Sequence, residues 1–230
     1  MSRSILTRRQ CLGAGAAVAV AASCSARLQA DESSASVEPF PTTAEEALTR
    51  LRDGNRRFIS GTARHPHAEL AWRRDLEQTQ KPFATVLSCS DSRVPPELLF
   101  DQGFGDLFVI RVAGHVIDPS TLGSLQYALV HLKTPLFLVL GHEHCGAVTA
   151  AVQALLGEHQ EPAKIQALVD MVEPGLEKMD LHGERDAVVR QAVAANVRWT
   201  LRQLTDIVQD STQLAGAVYE LDRGEVEMLT

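Results

Sequence analysis

Two short fragments hold most of the side chains in this sequence that could do chemistry. They are Cys89-Ser90-Asp91-Ser92-Arg93 and Gly141-His142-Glu143-His144-Cys145-Gly146. Cys89, Asp91, His142 and Cys145 offer two thiolates, a carboxylate and an imidazole, a donor set that suits Zn2+ in a tetrahedral site. A purely structural zinc site usually shows paired Cys-x-x-Cys knuckles, and none is present. Arg93, two residues beyond Asp91, could hold that carboxylate off the metal and leave a coordination position open to water. That arrangement suits an enzyme.

The elements around the fragments place them together. Apolar runs from Phe83 to Leu87 and from Leu136 to Leu140 read as buried strands that end at the fragments, with helix-like segments after each. Two neighbouring parallel strands would deliver all four side chains to one crevice. Asp106 to Val112 reads as another strand. Gly123 to Lys133 carries Leu125, Ala128, Leu129 and Leu132 on one helical face, which predicts a right-handed βαβ unit. Val94-Pro95-Pro96-Glu97 suits the opening of a helix, and Gly146 to Leu156 a helix whose N-terminus lies beside Cys145. A later long helix has Val189, Val193, Val197, Leu201 and Leu204 on one side. Leu214 to Leu221, with a turn at Asp222-Arg223-Gly224, predicts an edge hairpin. The fold class is α/β, a mostly parallel central sheet flanked by helices.

Near the N-terminus, Thr43 caps a helical stretch through Phe58, and a second covers about Ala68 to Gln78. Both are charged on most faces, at Arg56, Arg57, Arg73 and Arg74. They need something else to pack against, and are expected either to pack on a partner subunit or to form a solvated flank on the same subunit.

The 230 residues, 45% of them hydrophobic, suffice for one domain with a full core, over 42–230. Residues 1–30 read as an export signal: basic Arg3, Arg8 and Arg9, an apolar stretch from Leu12 to Ala22, then small residues ending at Leu28-Gln29-Ala30. It is too short to span a membrane stably. Thr7-Arg8-Arg9-Gln10-Cys11-Leu12 looks like a twin-arginine signal, which exports folded proteins and implies the periplasm. Cys24 can be read as a lipoprotein cysteine, although the residues before it lack the usual leucine. Residues 31–41, rich in Ser, Glu and Pro, look like a flexible arm. Without the first 30 residues, 18 Lys+Arg face 29 Asp+Glu, a formal balance of −11, which speaks against a nucleic-acid partner. Only Cys89 and Cys145 then remain, and zinc loaded before export would protect them from joining as a disulfide.

The chain resembles the β-class carbonic anhydrases over about residues 44–229. The likeness rests on Cys-Ser-Asp-Ser-Arg, the run Gly105-Asp106-Leu107-Phe108-Val109 to Ala113-Gly114, and His-x-x-Cys-Gly. It implies reversible hydration of carbon dioxide to bicarbonate and a proton, with one Zn2+ per subunit. Cys89, His142 and Cys145 would be permanent ligands, and Asp91 would either take the fourth position or pair with Arg93. Within the family, Val86 stands where the other type has a tryptophan and Gln80 stands where the plant-like type carries an active-site glutamine, which points to the plant-like type. The resemblance assigns Gln80, Phe108, Tyr127 and the Gly146 backbone to the substrate pocket and implies a homodimer or tetramer, because that pocket is built at a dimer interface. Two thiolates neutralise the metal's charge, so its effect on water is weaker than in a three-histidine site and mildly alkaline pH is expected to favour activity.

Two other readings use the same residues: hydrolysis of carbon disulfide or carbonyl sulfide, and a noncatalytic zinc-stabilised binding protein. The polar Gln80 argues against the first, and Asp91 with Arg93 against the second. His115, where the family commonly has asparagine, could shuttle protons but reads more readily as a surface or loop histidine satisfied by local hydrogen bonds. His144, Trp72 and Trp199 read as structural.

Overall fold

The computed structural model describes residues 39–208 and 212–229. The expected export signal, residues 1–30, and most of the expected arm, residues 31–41, lie outside the described residues.

Unbroken apolar runs form strands buried on both faces. β1 (Ala84–Ser88) and β3 (Leu136–His142) are buried at every position. They pair in parallel, with Ala84 opposite Leu136 and Ser88 opposite Leu140. β2 (Leu107–Arg111) pairs in parallel with the other side of β1, and β4 (Gln213–Tyr219) with the other side of β3. β5 (Val226–Leu229) returns antiparallel to β4, the expected edge hairpin, giving the order β2-β1-β3-β4-β5. Successive side chains feed opposite faces. Ala84, Val86, Leu138 and Leu140 join one core cluster, while Leu87, Phe137 and Val139 join another.

The first face is covered by α1 (Ala44–Ile59) and the short α3 (Pro96–Leu99). Thr43 Oγ1 accepts the Glu46 N–H, and the Glu46 carboxylate accepts the Thr43 N–H, a reciprocal capping box. Ala47, Leu48 and Leu51 then bury themselves beside Phe83 and Val86. The apolar face of this helix therefore packs on the chain's own sheet. α2 (Leu70–Asp75) buries no residue.

The opposite face carries α4 (Pro119–Tyr127), α5 (Gly146–Leu155), α6 (Ala163–Val172) and α7 (Arg185–Thr205). The α4 helix begins four residues earlier than its apolar periodicity suggests. Asp118 Oδ1 accepts the Thr121 N–H at 2.7 Å and Pro119 sits at the first helical position, both strong start signals. Its last turn widens into a π-helical turn at Ala128–Leu132 and stops at Lys133, which has φ 54°. Val148 and Val152 of α5, Val169 and Val172 of α6, and Val188 and Val193 of α7 form a third cluster, which extends to Cys89 and Cys145.

Asp101 ties the chain after α1 to this frame. Its fully buried carboxylate accepts Arg57 Nε at 2.6 Å and the backbone N–H groups of Arg64 and His65 at 3.0 and 2.9 Å. Burial pushes the acid up, but these bonds together outweigh it and its pKa lies below the ordinary carboxylate value. A depressed carboxylate stabilises the fold above its unfolded pKa, about 3.9, and loses that contribution as pH falls through the folded value. Asp101→Asn is therefore expected to cost about 2 kcal/mol at neutral pH, because it leaves a partly buried guanidinium without its anion. Urea unfolding at a series of pH values should show the deficit shrinking below about pH 4. A deficit independent of pH would refute the charge-based account.

Candidate metal centre

After β1 the chain moves to β2 on one side, then crosses back to β3 on the other, so the order reverses between β1 and β3. The crevice beyond their C-terminal ends is where open α/β sheets bind ligands. Cys89 follows β1, His142 ends β3, and Cys145 is the N-cap of α5. Their ligating atoms lie within 4.8 Å of one another and all three residues are buried.

Gly141 allows this part of β3 to sit close under α7. A Cβ there would lie 2.6 Å from Val197 Cγ2.

The residues fit zinc by the chemistry of the donor set. His142 Nδ1 donates to the Glu143 carbonyl at 2.8 Å, which fixes the tautomer and leaves the Nε2 lone pair free. That nitrogen is buried without a hydrogen-bond partner. An orphaned imidazole nitrogen facing two thiols is costly as a hydrogen-bonding group and natural as a metal ligand. Cys145 Sγ donates a proton toward Cys89 Sγ across 4.0 Å. The bond from Cys145, with help from the Gly114 and Asp91 backbone N–H groups, overcomes burial and favours Cys89 as thiolate. The same bond, together with burial, pushes the Cys145 thiol up. A divalent cation would replace that proton and release it. Gly114, at φ 67°, aims its N–H at Cys89 Sγ from 3.4 Å.

Asp91 stands beside this trio. Its Oδ2 is 3.9 Å from His142 Nε2, and Arg93 grips its carboxylate through Nε (2.9 Å), Nη2 (2.7 Å) and the backbone N–H (2.9 Å). Bonding to Arg93 is the main reason the Asp91 acid is held well below the usual carboxylate range. Of the two placements open in the sequence, the structure has Asp91 paired with Arg93.

The other expected residues are more dispersed. Gly146 opens α5, and a Cβ there would meet nothing within 4 Å. Gln80 and Tyr127 line a separate hollow of about 480 Å3 with Leu132. Phe108, on the edge strand β2, stacks on Tyr127 with ring centres 6.0 Å apart. Gln80, Phe108 and Tyr127 thus gather near one another, at a hollow whose lining does not include Cys89, His142 or Cys145. His115 is a core residue at 1% exposure, with Nδ1 3.2 Å from Thr200 Oγ1 and Nε2 3.4 Å from Asn196 Nδ2. Burial lowers its pKa to about 4, so it stays neutral and does not shuttle protons at physiological pH. His144 is exposed, and the indole nitrogens of Trp72 and Trp199 donate to the Phe104 and Met171 carbonyls.

Two residues were not singled out in the sequence. Asn196 donates to the Gly114 carbonyl at 3.0 Å and so holds the loop that serves Cys89. Its signal is a lone amide among Val193 and Val197 on a buried helix face. Arg111 bonds to the backbone on either side of Ser90.

A family model described as carbonic anhydrase matches residues 84–226. A carbonic anhydrase of Mycolicibacterium smegmatis is 43% identical over 192 residues, covering 79% of this chain and 91% of that protein. Carbonic anhydrase 2 of Mycobacterium tuberculosis is 38% identical over 191 residues, covering 80% and 91%. Among solved structures, a Coccomyxa β-carbonic anhydrase in complex with acetazolamide superposes with a TM-score of 0.61 at 26% identity, covering 79% of this chain and 86% of that one. A tetrameric β-carbonic anhydrase of Sordaria macrospora shares the fold with a TM-score of 0.63 at 20% identity, covering 77% and 93%. With its parallel sheet and its Cys89, His142 and Cys145 gathered at the strand ends, this chain belongs to the β-class carbonic anhydrase family.

Proposed function

We infer that this protein catalyses the zinc-dependent, reversible hydration of carbon dioxide to bicarbonate and a proton. The observation that carries this reading is the buried trio of Cys89, His142 and Cys145 with the His142 Nε2 lone pair unused. Zinc held by these three residues would acidify a water and make it nucleophilic near neutral pH. Asp91, kept ionised by Arg93 and 3.9 Å from His142 Nε2, would accept a hydrogen bond from the attacking water and turn a lone pair toward the substrate carbon. In a dimer, where the substrate pocket would be built at the interface, Phe108 and Tyr127 would supply apolar walls for an uncharged linear substrate and the Gln80 amide would donate to bicarbonate. Gln80, with Val86, also supports the plant-like type. The relatives give no support to carbon disulfide or carbonyl sulfide hydrolysis, or to a noncatalytic role.

A homodimer or tetramer is the assembly we favour. Support comes from the tetrameric Sordaria relative and from an apolar surface, in which Leu98 and Phe104 are 52% and 56% exposed beside a hollow of about 390 Å3. Among the described residues no helix is long and apolar enough to cross a membrane. Export to the periplasm by the twin-arginine route is proposed from Arg8-Arg9 and the apolar stretch after them. The decisive experiment is stopped-flow carbon dioxide hydration by the chain from Asp31, with zinc measured on the same sample. Fast turnover at about one zinc per chain, rising toward mildly alkaline pH, is expected. No turnover at full zinc loading would sink the assignment.

A further inference from the structure

Arg111 is the last residue of β2 and pairs in register with Ser88, the last residue of β1. The strand ladder ends at this level, where the Ser88 carbonyl accepts the Val112 N–H at 3.1 Å. Beyond it, the Arg111 guanidinium continues the ladder with side-chain donors. Nε donates to the Cys89 carbonyl at 3.1 Å and Nη2 to the Asp91 carbonyl at 2.6 Å. One planar fork therefore holds the main chain at both residues of this segment on which the proposed chemistry depends.

The two arginines divide the task. Arg93 holds the Asp91 carboxylate, but its side chain is 52% exposed and belongs to the same short loop, so the pair can move as a unit. Arg111 comes from a different strand and fixes the pivot about which that unit would turn. Asp91 Oδ2 lies only 3.9 Å from His142 Nε2, so a small loop rotation would carry it in among the metal-binding atoms.

Building on the carbonic anhydrase reading, we propose that Arg111 is a positioning residue that anchors the Cys89 and Asp91 backbone and thereby keeps the Asp91 carboxylate out of the metal's coordination sphere. Lysine cannot replace it fully, because a single ammonium does not span two carbonyls in a fixed plane.

The test uses Arg111→Ala and Arg111→Lys in the full mature chain, each loaded with cobalt(II), whose visible absorption reports the ligands around the ion. Arg111→Ala should bind one cobalt and show a changed spectrum as the Asp91 carboxylate enters, with an intermediate change in Arg111→Lys. With zinc, kcat should fall about tenfold to a hundredfold, the usual cost of losing an outer partner of a metal site. The spectral change should vanish when Arg111→Ala is combined with Asp91→Asn and compared with Asp91→Asn alone. A wild-type spectrum in both single variants would overturn the proposal. So would a change that persists in the Asp91→Asn background, or a large drop in Tm without a spectral change. If the alanine variant does not fold, the lysine variant decides by the same comparison. The spectrum needs no substrate, so failure of carbon dioxide hydration in the wild type is distinguishable from failure of this anchor.

Discussion

Serine at position 145 is expected to empty the metal site while leaving the fold intact. Cys145 is the N-cap of α5, and serine is among the preferred residues there, so Cys145→Ser keeps or improves the helix start. What it loses is a thiolate. A hydroxyl does not ionise near neutral pH, and it leaves His142 and Cys89 as a two-ligand remnant. Zinc affinity should fall by more than about a hundredfold, beyond the usual cost of losing merely an outer-shell partner. After dialysis against a weak chelator, elemental analysis should find zinc in the wild type and almost none in the variant, with hydration at background. Circular dichroism of the two metal-free proteins should coincide. Wild-type melting should rise with added zinc, since a ligand that binds only the folded state stabilises it by mass action, while the variant's should not. A variant that keeps both zinc and activity would show that Cys145 is not a ligand.

Much of the crevice is legible in the sequence because its causes are local. β1 and β3 are continuous apolar runs, each broken where polar ligands begin, and both the pairing of such strands and the position of a crevice beyond their ends follow from parallel-sheet topology. Donor chemistry alone selects Cys89, Asp91, His142 and Cys145, and the structure gathers the first, third and fourth with Asp91 beside them. Less legible are the features set by tertiary contact. Arg111 reads as the polar end of an edge strand, and only the register with Ser88 reveals that its guanidinium reaches the next loop. Asn196 looks like a flaw in a valine face until Gly114 and His115 are packed against it. The α4 start was displaced because periodicity weighs apolar residues, whereas Asp118 and Pro119 act through caps and a fixed backbone angle. His115 shows the same limit in reverse: its type suggests proton transfer, but full burial removes the charged form.

These distinctions bear on Asp91, which is held by groups that differ in what they would lose. Asp91→Asn keeps the shape and leaves Cys89, His142 and Cys145 untouched. It removes the ionised acceptor, however, and one of the amide's two ends must face Arg93 as a donor against a donor. Zinc should remain at about one per chain, while kcat and kcat/KM both fall by roughly a hundredfold or more, the lower end of what a positioned acid–base group contributes. That fall corresponds to about 2.7 kcal/mol of transition-state stabilisation. Arg93 acts through Asp91 in this scheme, so adding Arg93→Ala to Asp91→Asn should cost little more, whereas Arg93→Ala alone should be costly. Stopped-flow kinetics on the four proteins, with zinc measured in each, closes the cycle. Additive losses would mean that Arg93 touches the substrate in its own right, and a wild-type rate in Asp91→Asn would remove the carboxylate from the mechanism. An equal loss in both single variants and in the pair would identify one functional unit, poised beside the metal ligands and dependent on staying there.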